Sequence, residues 1–399
     1  MNYLERARAL EDEIVENRRY IHAHAGVAFD LEDTTRRITE QLNAMGIQGR
    51  RCGKAGIIAE IGRGGKTILL RGDIDALPIE EQTDLPFASK NGAMHACGHD
   101  FHGAMLLGAA KLLKENEDAL CGTVRLMFQP AEEKLAGARD MVENGVLEGV
   151  DVGFGMHIST GNNLSETGCV FFTTGASHAS GDSFRIVVQG KGCHGASSYQ
   201  GVDAVNIAAH IVVALGELPA REVPASELSI VTVGMLHGGS ACNIIADTAV
   251  IEGTIRALSM ENREFLNRRV HEVAEGIAKT FRASIIFEQD SRTPPSINDP
   301  ALCQEMLPFI RQVVPPEKVL MQQNCPSLGS EDFAYVSTKI PAVMINLGAG
   351  SRAQGYDYAL HSPFVTPDEG CLPVGAALYA HCATRSEEHT SELQSLRHL

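Results

Sequence analysis

The strongest constraint on the fold is an alternation of helical and strand patterns that one differently ordered segment interrupts. Up to residue 175, helical stretches alternate with short apolar strands such as Thr67 to Gly72, Thr123 to Phe128 and Val152 to Met156. This alternation favours a largely parallel sheet covered by helices. From Asp182 to Glu288 the predicted order is instead strand, helix, two long strands, helix and strand. That order is typical of a ferredoxin-like sandwich, which can form a separate domain of about a hundred residues.

The sequence therefore predicts an α/β catalytic domain that is interrupted by an insertion. The catalytic domain is expected to comprise residues 1–178 and 291–384, with a mixed, mostly parallel sheet covered by helices. Residues 179–290 are expected to form an inserted ferredoxin-like α+β domain.

The last segment, residues 385–399, is expected to be a non-native tail, and an ordinary disordered polar tail is the alternative. It shows neither helical nor strand periodicity and follows a helix predicted for Asp368 to Cys382. Its first eleven residues, Arg385 to Ser395, resemble the translation of a common sequencing adapter. The tail is therefore left out of the functional predictions.

Charge and composition exclude several classes of function. The chain has 34 basic and 50 acidic residues, a net charge of -16, which disfavours binding to nucleic acid. No apolar run reaches the roughly 18 to 20 residues that span a bilayer, so no membrane partner is expected. The ten cysteines lack a C-x-x-C pair and a dense spacing, which is typical of reduced thiols and predicts a cytoplasmic protein.

Residues of the types that bind metals follow the apolar strands at five places. Because open α/β sheets place their binding crevices at strand ends, these side chains are expected to converge. The places are Asp73 and Asp75 after TILLRG, the segment MHACGHDFH with His95, Cys97, His99 and His102, the pair Glu132 and Glu133 after TVRLMF, His157 after VGFGM, and His361 beyond AVMINLG.

The spacing within two of these groups suits metal-assisted hydrolysis. Cys97 and His99 are separated by one glycine, so a turn or an extended conformation lets both side chains chelate one ion. A thiolate, imidazoles and a carboxylate form the ligand set expected for zinc, manganese or cobalt. Glu132 and Glu133 are adjacent and point in different directions, so one can bind metal while its neighbour takes a proton from water.

Several motifs together resemble a known family. MHACGHDFH, FQPAEE, GMH, GKGCHGA, GTIR, LGSEDFA and LHSP are similar, in the same order, to dinuclear-metal amidohydrolases that include hippurate hydrolase, aminoacylases, indoleacetyl-amino-acid hydrolases and aminobenzoyl-glutamate hydrolase. The resemblance covers residues 3 to 384.

The resemblance implies a role for each matching residue. It implies two divalent ions, zinc, manganese or cobalt, with a general base, Glu132, and an aspartate, Asp75, that supports a ligand histidine. It implies that the inserted domain, residues 179–290, acts as a lid and as a dimerisation domain. In that domain it implies that His194 reaches the scissile carbonyl, often across a dimer interface, and that Asn243 and Arg256 hold the substrate carboxylate. The implied metal ligands are Cys97, His99, Glu133, His157 and His361.

The predicted activity is therefore hydrolysis of the amide bond of N-acyl amino acids, by a homodimer formed through the inserted domain. An exopeptidase or dipeptidase acting on small peptides is the first alternative. A cysteine amidase with Cys97 as nucleophile and His99 or His95 as base is another. A non-catalytic module that binds metal or peptide is the last, although binding needs no base beside Glu133.

Overall fold

The computed structural model describes residues 1–323 and 325–396, and of residues 290–292 and 386–396 only the backbone. The described chain forms two compact units. The first contains residues 1–177, most of 297–325, and the chain from residue 332 onward; the second contains residues 178–296 and 326–331.

The first unit is built on a nine-stranded sheet. Its strands are β1 (Arg50–Cys52), β2 (Gly56–Gly62), β3 (Thr67–Asp73), β4 (Thr123–Gln129), β5 (Val152–Ser159), β6 (Val170–His178), β13 (Ser296–Asn298), β14 (Val319–Gln323) and β15 (Ala342–Gly348). Its helices are α1 (Tyr3–Ala9), α2 (Glu11–Ala23), α3 (Glu32–Ala44), α4 (His99–Glu115), α5 (Gly137–Glu143), α8 (Pro300–Val313), α9 (Ala334–Ser337) and α10 (Leu372–Leu396).

The centre of this sheet is parallel. The strand order is β1-β2-β4-β3-β5-β15-β6-β13, and β14 pairs with β6. Strands β4, β3, β5 and β15 run parallel to one another, whereas β2 pairs with β4 and β15 pairs with β6 in the antiparallel sense. The carboxyl ends of the four parallel strands therefore meet at one edge of the sheet.

Helices cover both faces of the parallel strands. On β3, Ile68 and Leu70 belong to the apolar cluster that contains α4 and α10. Leu69 points to the other face and belongs to a second cluster with α5 and α9. Strand β3 is buried along nearly its whole length because of this double covering, as expected for a parallel sheet.

The second unit is a four-stranded antiparallel sheet with two helices. Its strands β7 (Gly181–Gln189), β9 (Ser229–Gly238), β11 (Thr248–Ala257) and β12 (Ser284–Thr293) lie in the order β12-β7-β11-β9. Helices α6 (Ala204–Arg221) and α7 (Met260–Thr280) bury their apolar residues against the sheet. A short antiparallel pair, β8 (Cys193–His194) and β10 (Ile244–Ile245), lies outside this sheet.

The predicted fold class is confirmed, because a mixed sheet flanked by helices accompanies a separate antiparallel unit with the ferredoxin-like strand order. The predicted boundaries of the inserted domain, residues 179–290, stay a prediction. None of the helices in the described part of the chain has the length and apolar composition that crossing a bilayer requires.

The last helix differs from its predicted extent. A helix was expected for Asp368 to Cys382, but α10 runs from Leu372 to Leu396 and so includes most of the tail. The polar tail lacks an apolar stripe, which is the signal that sequence periodicity detects, yet a helical backbone extends across it. The last residues, 397–399, lie outside the described residues.

Candidate metal centre

The predicted metal-binding side chains of the first unit come together at the carboxyl edge of its parallel strands. Asp73 ends β3, and Asp75 follows it. Glu132 and Glu133 follow β4, and His157 lies near the end of β5. These polar residues therefore lie at the same edge of the sheet. They are neighbours because of the order of the strands in the sheet, which differs from their order along the chain.

Cys97 and His99 flank a glycine that the site requires. Gly98 has φ of +84°, and a Cβ added there would lie 2.3 Å from the Cδ1 atom of Ile158. The turn therefore needs both the left-handed conformation and the missing side chain of glycine. It places Cys97 just before α4 and His99 at its first residue.

Asp75 connects three parts of the site. The Nδ1 atom of His99 lies 2.9 Å from the Asp75 carbonyl oxygen and 3.2 Å from Oδ1 of its carboxylate. The same carboxylate accepts backbone N–H groups from Glu132 at 3.0 Å and from Glu133 at 3.2 Å. Since the Asp75 oxygens accept at Nδ1, the lone pair of His99 is left on Nε2, toward the other donors.

Glu132 and Glu133 lie in a strained turn. The flanking residues Ala131 and Leu135 both have φ of +50°, which non-glycine residues seldom adopt. Glu132 is buried, and the Oε1 atom of Glu133 is buried without a hydrogen-bond partner in the part of the chain that the structure describes. A carboxylate oxygen of each residue lies within 4.8 Å of a His99 nitrogen.

Two further histidines approach the Cys97 thiol. The Nε2 atom of His157 lies 3.5 Å from Sγ, and that of His361 lies 3.2 Å from it. His361 has φ of +70° and donates its backbone N–H to the Ala96 carbonyl at 2.8 Å. That bond ties the loop of His361 to the Cys97 segment.

The donor atoms fit a metal centre. Those of Cys97, His99 and His157 lie within 4.8 Å of one another, as do those of Cys97, Glu133 and His361. Among the described residues, the Nε2 atom of His99 and the Oε1 atom of Glu133 are buried and accept no hydrogen bond, which is costly unless a cation satisfies them. All five predicted ligands are thus brought together, with Cys97 common to both groups.

Two other histidines of the same segment are placed differently. His95 is buried, and burial lowers its pKa to about 3, so its ring is neutral. It belongs to none of the candidate donor groups among the described residues. His102 lies one turn after His99 and is held by Asp73 and by the backbone N–H of Ile158.

Burial and neighbouring charges shift the pKa values of the cluster. Burial raises the pKa of the Cys97 thiol and of the Glu133 carboxyl, and it lowers the pKa of His157. Burial also lowers the pKa of His99, but the neighbouring Asp73 carboxylate and the Cys97 and Asp75 side chains more than offset it, so this pKa is raised. The raised pKa values of Cys97 and His99 favour their protonated forms, whereas a divalent ion binds only the deprotonated thiol and imidazole, so metal binding must displace these protons.

The candidate substrate-binding residues lie in the second unit. His194 in β8 is exposed, and its Nδ1 atom accepts the N–H of Ala196 at 3.1 Å. Asn243 is its neighbour, since the Asn243 carbonyl accepts the N–H of Gly195 at 2.8 Å. Arg256 is elsewhere in the unit, near the end of β11, where its guanidinium donates to the Ser330 hydroxyl. The structure thus brings His194 and Asn243 together and places Arg256 apart from them.

A buried network behind the site was missed by sequence reasoning. The Arg71 guanidinium contacts Asp73 at 3.0 Å and donates to the Gln129 side chain at 2.8 Å. The Asp332 carboxylate accepts from Gln129 at 2.6 Å and from the Ala138 backbone at 2.9 Å. The motif LGSEDFA carried Asp332, and the strand ends carried Asp73 and Gln129, but no pattern indicated that they pair.

Comparison with known proteins places these features in a family. Residues 69–385 match the model of peptidase family M20/M25/M40. The N-acetyl-L-cysteine deacetylase of Bacillus subtilis (strain 168) is 40% identical over 367 residues, which are 91% of this chain and 85% of that protein. The IAA-amino acid hydrolase ILR1-like 4 of Arabidopsis thaliana is 36% identical over 94% of this chain and 86% of its own length.

A solved structure supports the same relationship. A dinuclear metal-binding peptidase from the M20 family of Bacillus subtilis superposes with a TM-score of 0.80 at 35% identity. The alignment covers 96% of this chain and 99% of that one. Similarity therefore extends over both units and includes the segments that carry the candidate metal ligands.

Proposed function

Because the chain belongs to peptidase family M20/M25/M40 and is a metal-binding hydrolase of amide bonds, we propose that it cleaves the amide bond of N-acyl amino acids. One observation carries this proposal: five candidate ligands and Glu132 have donor atoms that cluster at one edge of the sheet. The deacetylase and the IAA-amino acid hydrolase, by their names, act on amino acids with an acyl group on nitrogen, which favours that substrate class.

We propose that the cluster binds two divalent ions, zinc, manganese or cobalt. Cys97, His99 and His157 would hold one ion, and Cys97, Glu133 and His361 the other. When bound, the ions supply Lewis acidity, which polarises the substrate carbonyl and activates water.

Glu132 is the proposed general base. It is buried in the same cluster, and its backbone is fixed by the hydrogen bond to Asp75. Its carboxylate accepts the proton of the attacking water and then donates a proton to the leaving amine. Asp75 is the proposed positioning residue, since it holds His99 and the turn of Glu132 at once.

The substrate-contacting roles belong to the second unit. We propose that His194 stabilises the developing negative charge on the carbonyl oxygen, and that Asn243 and Arg256 bind the carboxylate of the amino acid. The pairing of β8 with β10 supports a joint role for His194 and Asn243.

A substrate screen with and without metal tests the proposal. Metal-free protein, reloaded with zinc, manganese or cobalt, is assayed on N-acetyl, N-benzoyl, indoleacetyl and aminobenzoyl amino acids. We expect turnover that a chelator abolishes and a thiol-alkylating reagent spares after metal loading. The reverse pattern would indicate a cysteine amidase, and metal binding without any turnover would indicate a binding module.

An exopeptidase is the second candidate, because the family description and the Bacillus subtilis structure both name peptidases. The two activities differ in the acyl group on the scissile nitrogen. It is a simple acyl group in an N-acyl amino acid and an amino acid residue with a free α-amino group in a dipeptide. Paired assays on N-acetyl-alanine and alanyl-alanine decide between them, since a dipeptidase requires the free α-amino group that the acetyl compound lacks.

A homodimer is proposed through the second unit. Strand β9 lies at the edge of its sheet, and Met235 and Leu236 on this strand are exposed. The adjacent helix α6 exposes Val213 and Val205. An exposed strand edge beside aliphatic side chains is a surface suited to pairing with a second copy. Light scattering of the wild type and of Val213→Glu tests this, with a shift toward monomer expected for the variant.

The compartment is proposed to be the cytoplasm. All ten cysteines are free, and four of them, Cys52, Cys303, Cys371 and Cys382, are buried. Free thiols in this number suit a reducing compartment. Thiol titration of the protein as isolated from its native cell would show ten reduced cysteines.

A further inference from the structure

Two histidines hold the backbone of Ile158, one at its N–H and one at its carbonyl oxygen. The N–H of Ile158 lies 2.8 Å from the Nε2 atom of His102, and its carbonyl oxygen lies 2.6 Å from the Nδ1 atom of His157. His157 is a proposed metal ligand, whereas His102 has no role in the proposed reaction.

The partners of His102 determine its tautomer. A backbone N–H can only donate, so the Nε2 atom of His102 must carry a lone pair and accept. The neutral ring therefore has its proton on Nδ1, which donates to the Oδ1 atom of Asp73 at 2.5 Å. Both ring nitrogens are thereby used, and His102 has no lone pair left for a metal ion.

The same reasoning applies to His157 with the opposite outcome. A carbonyl oxygen can only accept, so the Nδ1 atom of His157 carries the proton. The lone pair of His157 is consequently on Nε2, the atom that lies 3.5 Å from the Cys97 thiol. The backbone of Ile158 thus selects the tautomer of His157 that can bind metal.

Two further contacts fix this arrangement. Arg71 contacts the other carboxylate oxygen of Asp73 at 3.0 Å, and both side chains are fully buried. On the other side, the side chain of Ile158 packs so closely against Gly98 that a Cβ at that position would lie 2.3 Å from it. The chain of contacts therefore runs from Arg71 through Asp73 and His102 to Ile158.

We propose that His102 is a positioning residue: by holding the Ile158 N–H, it fixes the Ile158 carbonyl and so the tautomer and orientation of His157 as a metal ligand. This inference rests on the proposed metal site. Groups that orient a metal-binding histidine typically change metal affinity by about 10- to 100-fold when removed.

A pair of variants separates the two hydrogen bonds of His102. In His102→Gln the amide oxygen reaches the place of Nε2 and can still accept from Ile158, but the bond to Asp73 is lost. In His102→Asn the amide reaches only the place of Nδ1, so the bond to Asp73 is kept and the Ile158 N–H is left without its acceptor. Leu113→Ala is the control, since Leu113 is fully buried in the same helix, three turns away.

The first measurement is titration of metal-free protein with Co²⁺, followed by its visible absorption. We expect His102→Asn to weaken the binding of one of two ions by about 10- to 100-fold and to change its spectrum. His102→Gln and Leu113→Ala should keep the affinity and the spectrum of the wild type. Equal losses in the asparagine and glutamine variants, or no loss in either, would overturn the proposal.

The second measurement needs no metal. Nitrogen NMR of ring-labelled histidines in the metal-free wild type, assigned with His157→Gln, reports which nitrogen of His157 is protonated. We expect the proton on Nδ1; a proton on Nε2 would overturn the inference. If the wild type binds no Co²⁺, the proposed function fails, and the same NMR measurement on His102→Asn still decides whether His102 sets the tautomer of His157.

Discussion

The two units hold their candidate functional residues in different ways. In the first unit, His99, Asp75 and Glu132 are buried, and each is fixed by hydrogen bonds to groups that are themselves buried. In the second unit, His194 and Asn243 are exposed, and they are placed by backbone hydrogen bonds at and beside a short strand pair and by one local bond of the His194 ring to the Ala196 N–H.

The difference matches the chemistry assigned to each unit. Metal ions and proton transfer require donor atoms that are already in position, because each misplaced ligand reduces affinity or rate. Substrate recognition requires groups that are reached by solvent and by ligand. Buried networks therefore mark the proposed reaction centre, and exposed polar residues mark the proposed recognition groups.

The largest expected effect is at Glu132 in the first unit. Glu132→Gln keeps the shape of the side chain but cannot accept the proton of water, so turnover should fall by about 10² to 10⁴. Metal content, measured by elemental analysis, should stay near that of the wild type. More than about a third of the wild-type rate would show that Glu132 is not the base. Glu133→Gln is the comparison and should lose metal.

The Arg256→Ala variant tests the carboxylate-binding role proposed for the second unit. For an N-acyl amino acid it should reduce the stabilisation of the transition state by about 1.5 to 3 kcal/mol, the contribution of a hydrogen bond to a charged group. The matched carboxamide should be little affected, because it lacks the negative charge. Arg185→Ala serves as control, since Arg185 lies on the same sheet and pairs with Glu252 and Glu288. Equal losses on both substrates would make Arg256 structural.

The Asp75→Asn variant tests how strongly a buried positioning residue affects metal affinity. Asp75→Asn replaces one carboxylate oxygen by an NH₂ group, which cannot accept the N–H of Glu132 or Glu133. Metal affinity, measured by competition with a chromogenic chelator, should fall by about 10- to 100-fold. Asp140→Asn is the control, because its carboxylate also accepts a backbone N–H, that of Lys54, and Asp140 belongs to none of the candidate donor groups among the described residues. Equal affinities in wild type and Asp75→Asn would refute the role.

The smallest expected effect is on stability and depends on pH. His22 lies between two carboxylates, with Nδ1 2.8 Å from Asp100 and Nε2 3.1 Å from Glu81. Burial lowers the pKa of His22, but the hydrogen bonds with Asp100 and Glu81 more than offset it, and the pKa is raised.

A raised pKa in the folded state stabilises the fold below the unfolded pKa of about 6.5, and this contribution is lost as pH rises through the folded value. The wild type should therefore exceed His22→Gln by about 1 kcal/mol in free energy of unfolding at pH 6, and by less at pH 9. Urea denaturation at both pH values measures this, with His24→Gln, at the residue that caps the C-terminus of the same helix, as control. A difference that grows with pH would contradict the sign.

The fold could largely be predicted from the sequence because periodicity is a local signal. The β-α-β-β-α-β order around α6 and α7 was visible in the positions of apolar residues, and the structure has the corresponding sheet. Strand β6 and helix α3 were missed, since β6 has only a short apolar run, Val170 to Phe172, followed mostly by polar or small residues, and α3 is mostly polar. The pairing of β6 with β14 and β15 is between distant segments and leaves no local trace.

The sequence by itself determined which residue types follow each strand: Cys97 and His99 around a glycine, the adjacent Glu132 and Glu133, and His157. Only the tertiary structure decided that these residues are neighbours, that Asp75 accepts from both glutamate N–H groups, and that Ile158 links His102 to His157. The physical reason is that residue type and spacing are written locally along the chain, whereas hydrogen-bond partners depend on which strands lie side by side. A tautomer in turn depends on those partners, so it is fixed only when the sheet has formed.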